Sequence, residues 1–394
     1  MARLSDLATV ITKGTTPTSL GFAFQNEGIN FVKIESVDDN GNFIFEKFDH
    51  ISNGCHEKLK RSQLQENDIL YSIAGAIGRT AIVTKDILPA NTNQALAIIR
   101  IPEGVINYSF LLYILQSSAV IEQTEKKKQG VAQLNLSLKD IGDFIIPDIP
   151  LEQQKIIVET LDKVNNVISL RKQQLSKLDE LVKSRFIEMF GDPEHNEKEI
   201  PTLPMTELCE IIDGDRGANY PKQEEFSDNG FCLFLNAKNV TVNGFSFENC
   251  MFITAEKDKL LRKGKLSRGD VVLTTRGTIG NLAFYDGAVP YENIRINSGM
   301  VILRMKRERI TERFFIEQFK MQLASIKEKI ASGSAQPQLP ISTMNKIVML
   351  VPDVELQAQF AAFVEQTDKS KFEIQKSLEK LETLKKALMQ KYFG

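Results

Sequence analysis

The sequence predicts an α+β protein: two homologous mixed α/β domains, separated by two long helices that pair as an antiparallel coiled coil. Three observations predict it. Leu161, Ile168, Leu175, Val182 and Met189 recur every seven residues, with Val164 and Leu178 at the companion position, the seam of one helix packed on another. A second stretch of the same kind closes the chain: displaced by 203 residues, Leu178 falls on Leu381, Leu181 on Leu384, and Met189-Phe190-Gly191 on Tyr392-Phe393-Gly394. The segments before these stretches match in short islands at nearly the same displacement, which marks an internal repeat.

The first long helix occupies residues 151–191. Asp148 lies near its N-cap, Pro150 suits its first turn and Glu152 its positive end. Gly191 followed by Pro193 ends it. At 1.5 Å per residue such a helix is roughly 60 Å long. The second occupies residues 355–394. Their polar interruptions are complementary: Arg171 and Arg185 fall where the second helix has Ile374 and Leu388, while Lys371 and Lys385 fall where the first has Ile168 and Val182. Neither seam is complete alone, so each helix is expected to partner the other. The seam candidates are Leu161, Ile168, Leu175, Leu178, Val182 and Phe186 on the first, and Ile374, Leu378, Leu381 and Leu388 on the second. An approximate two-fold relation would then leave one globular domain, 1–150 and 192–354, at each end of a spacer.

The islands support those boundaries. Residues 28–35 match 230–238 as strands led in by glycine, and residues 67–79 match 269–281. Residues 93–100 match 297–304, each followed by a helical segment, 108–129 and 312–331. Gly130-Val-Ala-Gln-Leu-Asn-Leu matches Gly333-Ser-Ala-Gln-Pro-Gln-Leu, and Pro147-Asp148 matches Pro352-Asp353 before each long helix. Between the islands the halves diverge; residues 44–65 have no clear counterpart in 246–265. A shared scaffold with divergent insertions implies two different recognition tasks.

Composition narrows the class. At 394 residues, 42% hydrophobic and 25% charged, the chain suits two soluble globular domains plus helices. No apolar run approaches eighteen residues and the N-terminus has no signal-peptide pattern, so a cytoplasmic protein is expected. Four cysteines without CxxC spacing fit a reducing compartment. A net charge of −2 gives no bulk attraction to nucleic acid, so DNA binding has to rest on local clusters.

Each half carries a Gly-x-x-Gly loop between strands, Gly75/Gly78 and Gly277/Gly280, with Arg79 and Arg276 beside it. Such a loop admits two readings: a phosphate contact, or a tight turn. It is neither GxGxxG nor a P-loop. The paired Gly-x-Ala-Gln segments follow basic helices; their amides can pair with adenine and the preceding lysines can neutralise phosphates, although a lysine run is more often a solvated face. Catalytic constellations are missing. His50, His56 and His195 have no metal-ligand spacing, Cys55-His56 reads as incidental because strand neighbours face opposite ways, and Asp148 and Asp353 read as helix caps.

The repeated Gly-Asp island with its glycine loop, the repeated Gly-x-Ala-Gln-x-[Asn/Gln]-Leu and the ending Leu-Val-Lys-Ser-Arg-Phe-Ile-Glu-Met-Phe-Gly at 181–191 resemble the specificity subunit of Type I restriction–modification systems along the whole chain. The resemblance implies two target recognition domains, each reading one half of a split, here asymmetric, double-stranded DNA sequence. It implies helices that set the spacing and dock modification (methyltransferase) subunits, two of them, which bring in restriction (motor–nuclease) subunits. S-adenosylmethionine would sit on the methyltransferase, and this chain would hold no cofactor, metal or catalytic site. This chain starts almost at the first recognition domain, without the family's N-terminal helical extension. DNA-contact candidates are Lys33, Arg79, Lys127, Gln133 and Asn135 in the first half, and Arg216, Lys238, Thr275, Arg276, Arg295, Gln336 and Gln338 in the second. The rival readings are a coiled-coil adaptor that binds no DNA, and an enzyme with an unfamiliar methyltransferase or nuclease site.

Overall fold

The computed structural model describes residues 1–127, 135–331 and 338–394. The chain divides into two compact units, residues 1–172 with 376–394, and residues 173–375. The division runs through both long helices, Leu151–Phe190 and Val354–Phe393, each an unbroken 40 residues.

In the first unit a four-stranded antiparallel sheet has the order Val10–Lys13, Leu96–Arg100, Ile69–Ser72, Thr80–Ile82. Its central strands are apolar except for Ser72 and Arg100 at their ends, because both faces are covered. Ile69, Tyr71, Ala97 and Ile99 face the helices Tyr108–Leu115 and Leu138–Gly142 and the start of the first long helix. Leu70, Leu96 and Ile98 face a core that includes Val32, Val37 and Ala90. There the three-stranded sheet Asp49–Ile51, Ile29–Val32, Ala90–Thr92 pairs its last two strands in parallel. The segment 108–129, expected to be helical, holds two helices over its described residues, Tyr108–Leu115 and Ser118–Lys127. The first ends at Gln116, whose amide is drawn to the Thr80 hydroxyl at 2.8 Å.

The second unit repeats this order strand for strand. Its four-stranded sheet runs Cys209–Asp213, Met300–Met305, Val271–Thr274, Leu282–Phe284, and its three-stranded sheet Phe252–Ile253, Cys232–Leu235, Ile294–Ile296. Here too the central strands are buried on both faces, between an aromatic-rich helical core and the smaller sheet. The single helix Glu312–Ala331 replaces the broken pair. The internal repeat is therefore a repeat of fold.

Each unit is closed by the start of one long helix and the end of the other. Ile157, Val158 and Leu161 join Leu388, Met389 and Phe393 in the first core, where Phe393 packs on Phe110 at 5.4 Å. Val182, Phe186 and Phe190 join Phe360 and Val364 in the second, with Phe190 on Phe314 at 4.9 Å. The segments pair antiparallel within each unit, bridged by Lys172–Glu382 at 3.5 Å in the first and Lys371–Asp179 at 2.5 Å in the second. Of the seam candidates, Leu161, Ile168, Val182, Phe186 and Leu378 are buried; Leu175, Leu178, Ile374, Leu381 and Leu388 are half-buried. Burial, then the nearby Lys172 charge, pushes the Lys385 ammonium below its ordinary pKa. A glutamine four residues into each helix ties it to its domain. Gln154 accepts from the Asn107 N–H, and Gln357 from the Thr311 N–H, both at 2.8 Å.

Candidate nucleic-acid interface

The two motifs that recur in each half meet in space. After the strand Ile69–Ser72, Ile73 accepts from the Leu136 N–H at 3.0 Å, and Ala74 bridges Asn135 antiparallel. In the second unit Thr275 accepts from the Leu339 N–H at 3.0 Å, and Arg276 bridges Gln338 antiparallel. Asn135, Arg276 and Gln338 are exposed. A third segment closes on the same place: the Thr275 and Arg276 N–H groups donate to the Gly299 carbonyl at 2.8 and 3.2 Å, as the Ile73 N–H does to Ala95 at 2.9 Å. Beside it, Gly14 and Gly214 press on Thr92 and Asn297; a Cβ on either would lie within 2.3 Å of a carbonyl oxygen, so only glycine fits.

The glycine loops prove to be closed turns. Gly75 and Gly277 have φ of 69°, and Gly78 and Gly280 have φ of 93°. Ser72 donates into the first loop, to the Ala76 carbonyl at 2.7 Å, and Thr274 into the second, to the Thr278 carbonyl at 2.5 Å. The hydroxyl and the positive φ account for the motif without a ligand.

The other candidates divide by what holds them. Arg295 is 5% exposed; it pairs with Asp258 at 2.6 Å and donates to the Lys263, Asp258 and Leu261 carbonyls. Arg79 donates to the Ile34 and Val37 carbonyls and pairs with Asp39. Lys33 pairs with Asp49 at 2.6 Å and Glu35 at 3.3 Å. The hydrogen bond to Asp49, against the opposing effect of burial, holds its pKa above the ordinary value. Thr275 is buried with its hydroxyl on the Gly299 carbonyl. Each of these four side chains is engaged by partners within its own domain. Arg216 is exposed, with Asp213 at 3.1 Å and the Ser298 carbonyl at 3.3 Å. Lys238 is exposed on a cleft of about 990 Å³ that it shares with Asp228 and Glu248, a mixed lining that favours no anion. Lys127 is the last residue of its helix; Gln133 and Gln336 lie outside the described residues.

Two ion pairs join the matched islands, a pairing that the sequence alone did not reveal. Asp68 and Asp270, both buried, each take a two-pronged guanidinium, from Arg100 at 2.6 and 2.7 Å and from Arg304 at 2.8 Å twice. Both partners stand in the matched islands, so the repeated Asp and Arg were the signal. Cys55 and His56 lie on the short helix Asn53–Lys58 rather than on a strand; Cys55 is core, and His56 meets Asn91 at 2.5 Å. Among the described residues no group of three metal-ligating side chains occurs, and no helix is long and apolar enough to cross a membrane.

Comparison with known proteins places this architecture. The chain belongs to the Type I restriction modification DNA specificity domain family, whose model matches it twice, over residues 1–180 and 197–386. The specificity subunit of the Type I restriction enzyme EcoBI from Escherichia coli is 34% identical over 140 residues, 35% of this chain and 29% of that subunit. The MjaVIII specificity subunit of Methanocaldococcus jannaschii is 26% identical over 350 residues, 83% of this chain and 78% of its own length. The solved S subunit of a Type I restriction-modification system from M. genitalium superposes with a TM-score of 0.57 at 16% identity, over 100% of this chain and 95% of that one. A chain from a structural study of complex assembly and conformational transition in the type I R-M system gives the same score at 17% identity, over 100% and 96%. These superpositions share the fold.

Proposed function

We propose that this chain is the DNA-recognition subunit of a Type I restriction–modification complex, without a catalytic site of its own. Each domain reads one half of an asymmetric bipartite target. The observation that carries this is the motif junction: two domains of one fold build the same backbone bridge and place different side chains on it, Ala74 with Asn135 and Arg276 with Gln338. One scaffold with two side-chain sets is what reading two different half-sites requires. Arg276, Gln338, Asn135 and Arg216 are the contacts we retain.

The long helices set the half-site gap and dock two modification subunits, which hold S-adenosylmethionine, perform methyl transfer and bring in the restriction subunits; the complex works on cytoplasmic DNA. Docking is supported by Ile156, Val167 and Leu170, all exposed on the first helix, Ile156 by 63% and Leu170 by 58%. Their spacing of 11 and 3 residues places them on one face at 3.6 residues per turn, away from the buried Leu161 and Ile168. The test is a mobility shift and methylation-site mapping with the chain, its modification subunit and both together. Sequence-specific methylation that needs both chains is expected. DNA-independent co-purification without methylation would favour a protein adaptor, and methyl transfer by this chain alone would make it the enzyme.

A further inference from the structure

We propose that Arg276 and Gln338 form a two-residue reader in the second domain, Arg276 taking a guanine and Gln338 an adenine in the adjacent base pair. This rests on the DNA-specificity reading above and names the bases that one of its surfaces recognises. The two residues are direct partners in an antiparallel bridge. Such partners project from one face with Cβ atoms about 4.5–5.5 Å apart, close enough to the roughly 3.4 Å rise between base pairs for their side chains to address neighbouring base edges.

The backbone beneath them is held on both sides. Thr275 and Arg276 donate to Gly299, the Thr275 hydroxyl reinforces that contact at 3.0 Å, and Leu339 donates to Thr275. A side chain launched from a fixed backbone can be selective. The guanidinium is also available. In the second unit Arg276 and Arg262 have no side-chain hydrogen bond or ion pair among the described residues, whereas Arg216, Arg295, Arg304 and Arg313 each engage an aspartate. A free planar fork matches N7 and O6 of guanine in the major groove, and a glutamine amide matches N6 and N7 of adenine. At the equivalent bridge the first domain has Ala74 and Asn135. Ala74 offers no donor, so the guanine contact is a property of the second domain alone.

The experiment is methylation-site mapping of the full chain with its modification subunit, for wild type, Arg276→Ala, Arg276→Gln and Gln338→Ala. The wild-type motif should carry guanine beside adenine in one half. Arg276→Ala should cut discrimination at the guanine position by about 5- to 150-fold. Arg276→Gln should move the preference there from guanine to adenine, a gain that a misfolded variant cannot give. Gln338→Ala should relax the neighbouring position alone, and the other half-site should stay unchanged in all three. An unaltered motif in the Arg276 variants overturns the proposal. So does an even loss at every site with the salt slope lowered by about one, which marks a phosphate contact. A wild-type complex that methylates no bipartite site would instead overturn the specificity reading itself.

Discussion

Arg295 offers a sharp contrast between a structural cation and a DNA contact, and Arg295→Ala should act through stability. The guanidinium is buried, sits 2.6 Å from Asp258 and donates to three backbone carbonyls. Removing one partner of a buried, hydrogen-bonded pair costs about 3–5 kcal/mol, because the remaining charge stays desolvated. Lys265 remains 2.7 Å from the same carboxylate, which puts the expected loss near the lower end, about 3 kcal/mol. For a unit of this size that corresponds to a fall in melting temperature of about 6–12 °C. Differential scanning calorimetry of the full chain measures it. DNA affinity of the assembled complex, measured below the new transition, should keep its salt slope. A variant that melts like wild type yet binds every DNA sequence more weakly would show that Arg295 faces phosphate and would refute this assignment.

The same carboxylate predicts a pH dependence. Burial pushes Asp258 up, but hydrogen bonds from Lys265 and Arg295 outweigh it and hold the group below the ordinary carboxylate value. Its stabilisation is therefore complete at neutral pH and lost as pH falls through the depressed value; in urea titrations the stability gap between wild type and Arg295→Ala should be full at neutral pH and narrow as pH falls below the ordinary carboxylate range. Phe393→Ala should destabilise the first unit by about 3–5 kcal/mol, because the C-terminal ring is buried against Phe110; hydrogen exchange should rise in residues 1–150 and leave the strand Val271–Thr274 protected. Four residues inserted after Gln174 lengthen the first helix by about 6 Å and keep its facing to within a fraction of a turn. The methylated motif should retain both half-sites with a longer gap, whereas an unchanged gap would leave the helices only a docking platform.

Much of the fold was legible because its signals are periodic and doubled. The heptad seam located both long helices, the approximate two-fold relation of the repeat implied their antiparallel pairing, and the repeated islands foretold two homologous domains. What periodicity could not show is that each core takes residues from both helices, Phe190 in the second unit and Phe393 in the first. Those rings end their helices, where a heptad does not distinguish seam from core. The candidate site was less legible. Arg79 and Arg295 stand in matched or neighbouring islands, but their acceptors, Asp39 and Asp258, come from distant chain, so nothing local marks these arginines as already paired. The glycine loop resembled an anion cradle because the Ser72 and Thr274 hydroxyls that fill it precede the glycines and look unremarkable in sequence. The bridge from Arg276 to Gln338 spans 62 positions, and only the fold brings the two recurring motifs together.

Replacing residues 1–150 with the first domain of another family member, and mapping methylated sites with the same modification subunit, tests the two-domain account most directly. One half of the bipartite motif should change, while the other half and the gap stay as in wild type. A change in both halves together, or in neither, would contradict the assignment of one half-site to each domain.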